Sequence, residues 1–362
     1  MECSVPAAFH IERRYLERVI GQERAVRFLT ELIERDRVPH ALLFLGTSGT
    51  GAVAAALDFV QALHCQGDAA VACGRCAACH KVTNLNHPDS ALLFPFSSRV
   101  KEEDRQAALF QVWQSPYHYS LPDDNAAIAI DRVREMQRQF THSAFAGGWR
   151  TTLILHADQM RAEAANAMLK TLEEPPVRSL MILIASHGDA LLPTIVSRCQ
   201  FVKFPALSAQ DISVGLTARG VDETTADFIA RTCGGDLRRA LDMTDGHIAD
   251  RQDRSFKFLE ALLWEQEERT FEALAKLDRQ EALDILAGAE IWLRDALLLQ
   301  CGRDDHIANA AQEDNVGRLA EVFDLDQLAA TVKKIESLRE MNHRNVNMNL
   351  GLISLWRQIR SF

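Results

Sequence analysis

The chain has 362 residues, of which 47% are hydrophobic and 25% are charged, and its formal net charge at pH 7 is −10. This length predicts two or three domains, and the negative charge argues against sequence-independent DNA binding by the whole surface, because such binding needs many Lys and Arg side chains. The apolar runs are shorter than the roughly 18–20 residues that span a bilayer. The charged N-terminal segment does not resemble a signal peptide, so a cytoplasmic location without a membrane partner is expected.

The first two hundred residues alternate between short apolar runs and helical patterns. Ala41–Leu45, Thr151–Leu155 and Met181–Ala185 are short, apolar and bounded by polar or glycine residues, which predicts buried strands. Helical patterns cover Gly51–His64 and Ala162–Glu174, and two prolines end the second of them. This alternation predicts an α/β domain in which helices cover both faces of a parallel sheet.

The rest of the chain is expected to be mainly helical. Residues 95–125 are polar and have few strand signals, so an insertion or loop is expected there. Strand signals stop after residue 205, and helical patterns continue with a break at the glycine pair 234–235. We expect an α/β domain over 1–207, a small helical domain over 208–250 and an all-α domain over 251–362.

The segment after the first predicted strand has the glycines of a phosphate-binding loop but lacks its reactive residues. In a P-loop, G-x-x-x-x-G-K-[ST], backbone N–H groups cradle phosphates, the Lys reaches the β- and γ-phosphates, and the hydroxyl binds Mg²⁺. Gly46 and Gly51 hold the glycine positions, but Ala52 and Val53 stand where the Lys and the hydroxyl are needed. We therefore expect neither hydrolysis nor tight binding of ATP, although Gly49 and Gly51 can still admit an anion.

The strand that would carry the metal-binding carboxylates of a P-loop hydrolase lacks them as well. It ends in Leu155 and His156, where such enzymes need an Asp-Glu pair. Asp158 is expected to cap the following helix, because Asp accepts N–H bonds at helix starts. His156 would have nothing to activate, since a general base needs partners in the right geometry.

A cluster of four cysteines follows the predicted P-loop helix, with the spacing C-x7-C-x2-C-x2-C: Cys65, Cys73, Cys76 and Cys79. Four thiolates at this spacing can converge on one Zn²⁺, and an ion with four protein ligands would be structural rather than catalytic. An iron–sulfur cluster is an alternative, because sets of four cysteines also hold those. Four reduced cysteines in a loop are the simplest alternative.

Several motifs, in this order, resemble the AAA+ subunits of the bacterial DNA polymerase III clamp loader. They are IGQ and RVPHALLFLGTSGTG, the four cysteines, LEEPP at 172–176 and SRC at 197–199. The similarity covers about residues 20–205 and continues more weakly in GGDLRRAL at 234–241. It implies an AAA+ P-loop-type α/β domain with a small zinc module at 65–79, a helical lid and a C-terminal helical collar. The degenerate loops resemble those of the family member that does not hydrolyse ATP.

The resemblance also implies roles for individual residues. Arg198 would act as an arginine finger on ATP bound by a neighbouring subunit; the alternative is a surface residue that ends a strand–helix connection. Such a finger stabilises charge on the γ-phosphate and can be worth about 10³–10⁵ in rate. Ser186 and Arg238 match polar sensors that contact nucleotide in active members. Glu173 and Glu174 are expected to shape an interface or a helix end without a catalytic role.

The leading hypothesis is therefore a non-hydrolysing clamp-loader subunit with a structural zinc ion. Its expected partners are the gamma/tau and delta subunits and, through the complex, the sliding clamp and primer–template DNA. Its expected place is the replisome in the bacterial cytoplasm. One alternative is a gamma/tau-like ATPase with an atypical P-loop, in which His156 or a neighbour's arginine would act. Another is a separate zinc-containing nucleic-acid binder, which the acidic charge disfavours.

Overall fold

A computed structural model of the chain describes residues 16, 18–67, 72–97, 99–119, 126–140, 148–244, 248–340 and 348–361. These residues divide into two compact units. The first contains those within 1–211 together with 235–238, and the second contains those within 212–234 and 239–362. The division of the helical part into a lid and a collar near residue 250 stays a prediction.

The first unit is built around a parallel sheet. Its strands are β1 (Ala41–Leu45), β2 (Ser90–Leu93), β3 (Arg150–Ile154), β4 (Ser179–Ala185) and β5 (Gln200–Lys203). They lie in the order β2-β3-β4-β1-β5, and all neighbouring strands are parallel. Strands β1, β3 and β4 are buried almost throughout, as expected for a parallel sheet covered on both faces. This arrangement confirms the predicted α/β class and the three predicted strands.

The apolar pattern does not predict the two edge strands. β5 exposes three of its four residues, and β2 has only its last residue fully buried. An edge strand has one covered side at most, so its sequence lacks the continuous apolar run that marks a central strand.

Helices cover the sheet of the first unit: α1 (Glu23–Glu34), α2 (Ala52–His64), α3 (Ala77–Thr83), α4 (Glu102–Gln114), α5 (Ile130–Phe140), α6 (Ala162–Glu173) and α7 (Pro193–Val196). The expectation of a loop over 95–125 is wrong for residues 102–114, which form α4. Its apolar residues are crowded into its second half rather than repeated at helical spacing, and only Val112 and Trp113 are buried. The guanidinium of Arg18 lies 4.6 Å from the centre of the Trp113 ring, a cation–π contact that stabilises the C-terminal end of α4. Residues 120–125 lie outside the described part.

An apolar core holds helices α5 to α7 against the sheet. It includes Leu43 from β1, Ile154 from β3, Met168 from α6 and Ile195 from α7, all fully buried. Burying a side chain of this size contributes roughly 1.5–3 kcal/mol. The core therefore fixes the ends of β1, β3 and β4, where the candidate site lies.

The second unit is helical in its described residues, which confirms the predicted helical C-terminal region. Its helices are α8 (Ala209–Thr217), α9 (Glu223–Thr232), α10 (Leu237–Thr244), α11 (Ile248–Trp264), α12 (Glu267–Lys276), α13 (Arg279–Gln300), α14 (Glu313–Val322), α15 (Leu325–Glu340) and α16 (Met348–Arg360), of which α8 and α10 begin in the first unit. Trp292 of α13 is buried at the centre, 4.8 Å from the ring of Phe256, and its ring N–H donates to the Gln252 carbonyl. Across the described ranges, no helix combines the length and the apolar character that a bilayer span needs.

Candidate functional site

The P-loop connects β1 to α2, where the sequence predicts it. Gly51 is the N-cap of α2 and has a φ of 95°, a left-handed conformation that favours glycine. The helix begins at Ala52, and the side chains of Ala52 and Val53 are buried. The backbone of a phosphate-binding loop is thus preserved. Its first helical turn, however, presents two buried apolar side chains where a cation and a hydroxyl are needed.

Residues 235–238 lie against the outer side of the loop. The N–H of Leu237 donates to the carbonyl of Gly49 at 3.3 Å. A Cβ atom at Gly49 would collide with the carboxylate of Asp236, so only glycine fits there. Asp236 also accepts a hydrogen bond of 2.8 Å from the N–H of Arg238. The structure therefore brings Arg238, a predicted sensor, next to the P-loop.

Two tyrosines lie on the inner side of the loop. The hydroxyl of Tyr117 accepts a hydrogen bond of 2.8 Å from the N–H of Ile20, and it would lie 2.8 Å from a Cβ atom at Gly51. The hydroxyl of Tyr119 lies 3.1 Å from Nε2 of His156. Burial lowers the pKa of His156 and raises that of Tyr119. A neutral imidazole and a protonated phenol can therefore share this hydrogen bond.

The space that remains beside the loop is small. The cavity has a volume of about 30 Å³ and is lined by residues 46–53 together with Pro116, Tyr119, His156 and Ser186. A cavity of this size holds a few water molecules at most, whereas small-molecule sites typically enclose about 300–1,000 Å³. The structure places Ser186, the other predicted sensor, on the cavity wall. Among the described residues, the predicted elements of a nucleotide site therefore line a cavity much smaller than a typical small-molecule site.

The sequence reasoning missed Tyr117 and Tyr119. Both belong to the segment that was expected to be a loop or an insertion, where PYHY at 116–119 is the one aromatic run. Asp158 is also placed differently from the expectation. It lies within a short 3₁₀ turn at 157–159, and the N-cap of α6 is Arg161. Asp158 therefore does not cap the helix that follows, and that expectation is wrong.

The four predicted metal ligands converge. The Sγ atoms of Cys65, Cys73, Cys76 and Cys79 all lie within 4.8 Å of one another, and those of Cys73 and Cys79 are 4.0 Å apart. Sulfurs bound tetrahedrally to one zinc ion at about 2.3 Å lie roughly 3.8 Å apart. The N–H groups of Cys73 and Cys76 point at the preceding cysteine sulfurs at 3.3 Å each. The chemistry and the spacing of these donors fit a metal ion.

The protein environment acts differently on the individual thiols. Backbone N–H groups of Arg75 and Cys76 lower the pKa of Cys73. Burial opposes ionisation of Cys76, but the N–H groups of Gln66 and Cys79, together with the thiols of Cys79 and Cys73, outweigh it and bring its pKa to about 6. Burial raises the pKa of Cys79. A bound cation would favour the thiolate form at all four positions, because metal ligation requires deprotonated sulfur.

Arg198 lies at the surface between α7 and β5. Its Nη1 donates to the Thr194 carbonyl at 2.9 Å and to the Ser197 hydroxyl at 3.3 Å. Its Nη2 donates to Oε1 of Glu173 at 2.8 Å. The Arg198 side chain is 35% exposed. Contacts within the chain therefore hold the guanidinium in place, and part of it remains accessible to solvent.

Comparisons with known proteins converge on one family. A family model described as "DNA polymerase III, delta subunit" matches residues 21–208, which is more than half of the chain. A second model, "DNA polymerase III, delta subunit, C terminal", matches residues 249–359.

Individual relatives in sequence are subunits of DNA polymerase III. DNA polymerase III subunit delta′ of Bacillus subtilis is 26% identical over 90% of this chain and 92% of its own length. The delta′ subunit of Pseudomonas aeruginosa is 34% identical over 55% of this chain and 53% of its own. Subunit tau of Bacillus subtilis is 28% identical over 64% of this chain but only 38% of its own length. A gamma subunit-related protein from Thermotoga maritima has a TM-score of 0.40 at 16% identity, covering 92% of this chain and 98% of its own.

Proposed function

The chain belongs to the DNA polymerase III delta-subunit family as a clamp-loader subunit of the delta′ type, and on this premise we propose that it hydrolyses no ATP itself but completes the ATPase site of a neighbouring subunit. Its contribution is positional: it occupies one place in the assembly and presents a cationic side chain to the next subunit. ATP chemistry then takes place on that neighbour.

The P-loop and the small cavity beside it are the main support for the proposal that this chain does not hydrolyse ATP. Ala52 and Val53 supply neither the cation that neutralises phosphate charge nor the hydroxyl that binds Mg²⁺. Tyr119 and His156 occupy the space beside the loop, and the cavity of about 30 Å³ that is left accommodates a few water molecules at most. Restoring the two reactive residues would leave Tyr119 and His156 in this space.

Arg198 is the residue that would act on the neighbour. A guanidinium stays charged at all physiological pH values, and its planar fork matches the oxygens of a phosphate. The side chain is partly exposed and held at one place on the surface. These properties support its role as an arginine finger that stabilises negative charge on the γ-phosphate of the neighbour's ATP.

We assign Zn²⁺ to the four cysteines. A bound ion would link the loop after α2 to α3, and with four protein ligands it would be structural. The N–H groups directed at the sulfurs support the thiolate form that zinc requires. Iron–sulfur chemistry would need the same four ligands, and the metal content of the purified protein separates the two.

The remaining partners follow from the family. The gamma/tau and delta subunits would be the direct neighbours, and the sliding clamp and primer–template DNA would be reached through the complex. The subunit would act in the bacterial cytoplasm at the replisome. The formal net charge of −10 is consistent with DNA contacts made by the assembly rather than by this surface as a whole.

Nucleotide binding and turnover by the isolated chain test this proposal. We expect no binding of Mg-ATP tighter than about 1 mM, equivalent to about −4 kcal/mol, and no phosphate release. The variant Ala52→Lys/Val53→Thr should behave in the same way, because the cavity stays filled. Micromolar binding with turnover that His156→Ala abolishes would instead identify a gamma/tau-like ATPase with an atypical P-loop.

A further inference from the structure

We propose that Glu173 is a positioning residue for Arg198, holding the guanidinium in one orientation while its other N–H groups donate to the γ-phosphate on the neighbouring subunit. The inference deepens the proposed function and rests on the finger role of Arg198. It assigns a role to Glu173, the first glutamate of the LEEPP segment, that could not be predicted from the sequence.

The guanidinium of Arg198 is held from two helices. Nη2 donates to Oε1 of Glu173, the last residue of α6, at 2.8 Å. Nη1 donates to the carbonyl of Thr194 in α7 at 2.9 Å and to the hydroxyl of Ser197 at 3.3 Å. A planar group with contacts at both of its amino ends has one preferred orientation. Glu173 therefore supplies the second of two anchor points.

The backbone of Glu173 is itself well supported. Its neighbour Leu172 is buried in the core beneath α6. The N–H of Glu174 closes the helix by donating to the Lys170 carbonyl at 3.1 Å. Two prolines follow and restrict the backbone further. The carboxylate consequently projects from a rigid helix end rather than from a loose loop.

The contact between Glu173 and Arg198 is weak enough to position the guanidinium without immobilising it. The side chains of Glu173 and Arg198 are 52% and 35% exposed, so solvent screens the pair. Exposed pairs of this kind shift an equilibrium by at most about fivefold. This is enough to select one rotamer of a flexible side chain but too little to trap it there.

A phosphate can bind the guanidinium without displacing the carboxylate. Charge-assisted bonds from Arg to phosphate are strong. The contacts with Thr194, Ser197 and Glu173 use three of the five guanidinium N–H groups, so two can donate to the phosphate while all three contacts persist. Glu173 thereby reduces the rotamer entropy that Arg198 would otherwise lose on meeting the phosphate.

DNA-stimulated ATP hydrolysis by a reconstituted loader tests the proposal. The loader contains an active gamma-type subunit and this chain as wild type, Glu173→Ala, Glu173→Gln, Arg198→Ala or the double variant with alanine at both positions. Glu174→Ala is the matched control, because it removes an equal and adjacent charge. We expect Glu173→Ala to lower kcat about two- to fivefold with an unchanged KM for ATP. Glu173→Gln should recover part of the loss through its amide oxygen, and Glu174→Ala should match wild type.

The double variant separates positioning from a structural effect. If Glu173 acts through Arg198, adding Glu173→Ala to Arg198→Ala costs nothing further. An additional loss in that background would overturn the proposal, because Glu173 would then act through assembly or folding. An unchanged or higher kcat for Glu173→Ala beside a reduced one for Arg198→Ala would also overturn it, while leaving the finger role intact. An unchanged kcat for Arg198→Ala would remove the finger role and this inference together.

Discussion

His156 stands where an active P-loop hydrolase would carry acidic residues, and its surroundings make it a packing residue. It has a φ of 51°, in the left-handed region, and its Nε2 faces the Tyr119 hydroxyl at 3.1 Å. The ring of Phe94 lies 5.8 Å away, edge to face. The histidine therefore helps to fill the space beside the P-loop.

The titration of His156 should be visible in the stability of the protein. Burial lowers its pKa in the folded state below the ordinary value of about 6.5. Below about pH 6.5 the unfolded chain binds a proton that the folded chain does not, so stability falls as the pH falls through this window. The contribution of one such group is at most about 1.4 kcal/mol per pH unit. We expect the loss of Tm between pH 7.5 and 5.5 to be smaller in His156→Asn than in wild type.

Asparagine is a suitable replacement because it tolerates the left-handed backbone. Burial also lowers the pKa values of His64 and His87, and these groups contribute equally in both proteins. The comparison therefore isolates His156. An identical loss of Tm in wild type and variant would show that this side chain is not buried in its neutral form.

At the scale of elements, the cysteine cluster joins a loop to a very short helix. Helix α3 has seven residues, fewer than an isolated helix needs to be stable in water. Its N-cap is Cys76, whose sulfur accepts the N–H of Cys79 at 3.4 Å. A metal ion that links this helix to Cys65 and Cys73 would supply the stability that the segment lacks.

Removing one cysteine ligand should therefore lower both the zinc content and the thermal stability of the protein. We expect Cys73→Ser to contain much less than one zinc ion per chain and to have a lower Tm, because metal-binding energy contributes to folding. Cys301→Ser is the matched control, since Cys301 is exposed and lies outside the cluster. Metal analysis and thermal unfolding check both variants. Wild-type protein without zinc, or equal Tm values for the two variants, would contradict the assignment.

The sequence predicts an element well when burial leaves a continuous apolar pattern. β1, β3 and β4 are covered on both sides and were predicted, whereas the edge strands β2 and β5 were not. Helix α4 was missed because its apolar residues are crowded into its second half rather than repeated at helical spacing. The glycines of the P-loop predicted the site, but local pattern gives no sign of which side chains fill it.

Contacts between distant positions explain the rest of what the sequence left open. Tyr119 meets His156 across 37 positions, and Glu173 meets Arg198 across 25. Neither pair leaves a periodic or spacing signal, since each depends on how strands and helices bring their ends together. The four cysteines are the opposite case: their spacing is local, and the structure brings all four together as the sequence predicts.

At the scale of the whole molecule, each compact unit can be related to the family separately. The model that matches residues 21–208 falls within the first unit, and the one that matches 249–359 falls within the second. The first unit holds a P-loop that lacks its Lys and hydroxyl residues and a partly exposed arginine, Arg198, so its proposed role depends on another subunit. On this proposal, the isolated chain should not hydrolyse ATP, but its presence should increase ATP hydrolysis by the assembled loader.

The most direct test is DNA-stimulated ATP hydrolysis by a loader reconstituted from an active gamma-type subunit and this chain. Wild type is compared with Arg198→Ala, and Arg134→Ala, which removes an arginine whose side chain is 62% exposed on α5, is the control. An arginine finger is worth about 10³–10⁵ at a single site, so we expect Arg198→Ala to lower the rate at least about tenfold while assembly and the control stay normal. An unchanged rate in a correctly assembled loader would contradict the role of this subunit in completing its neighbour's site.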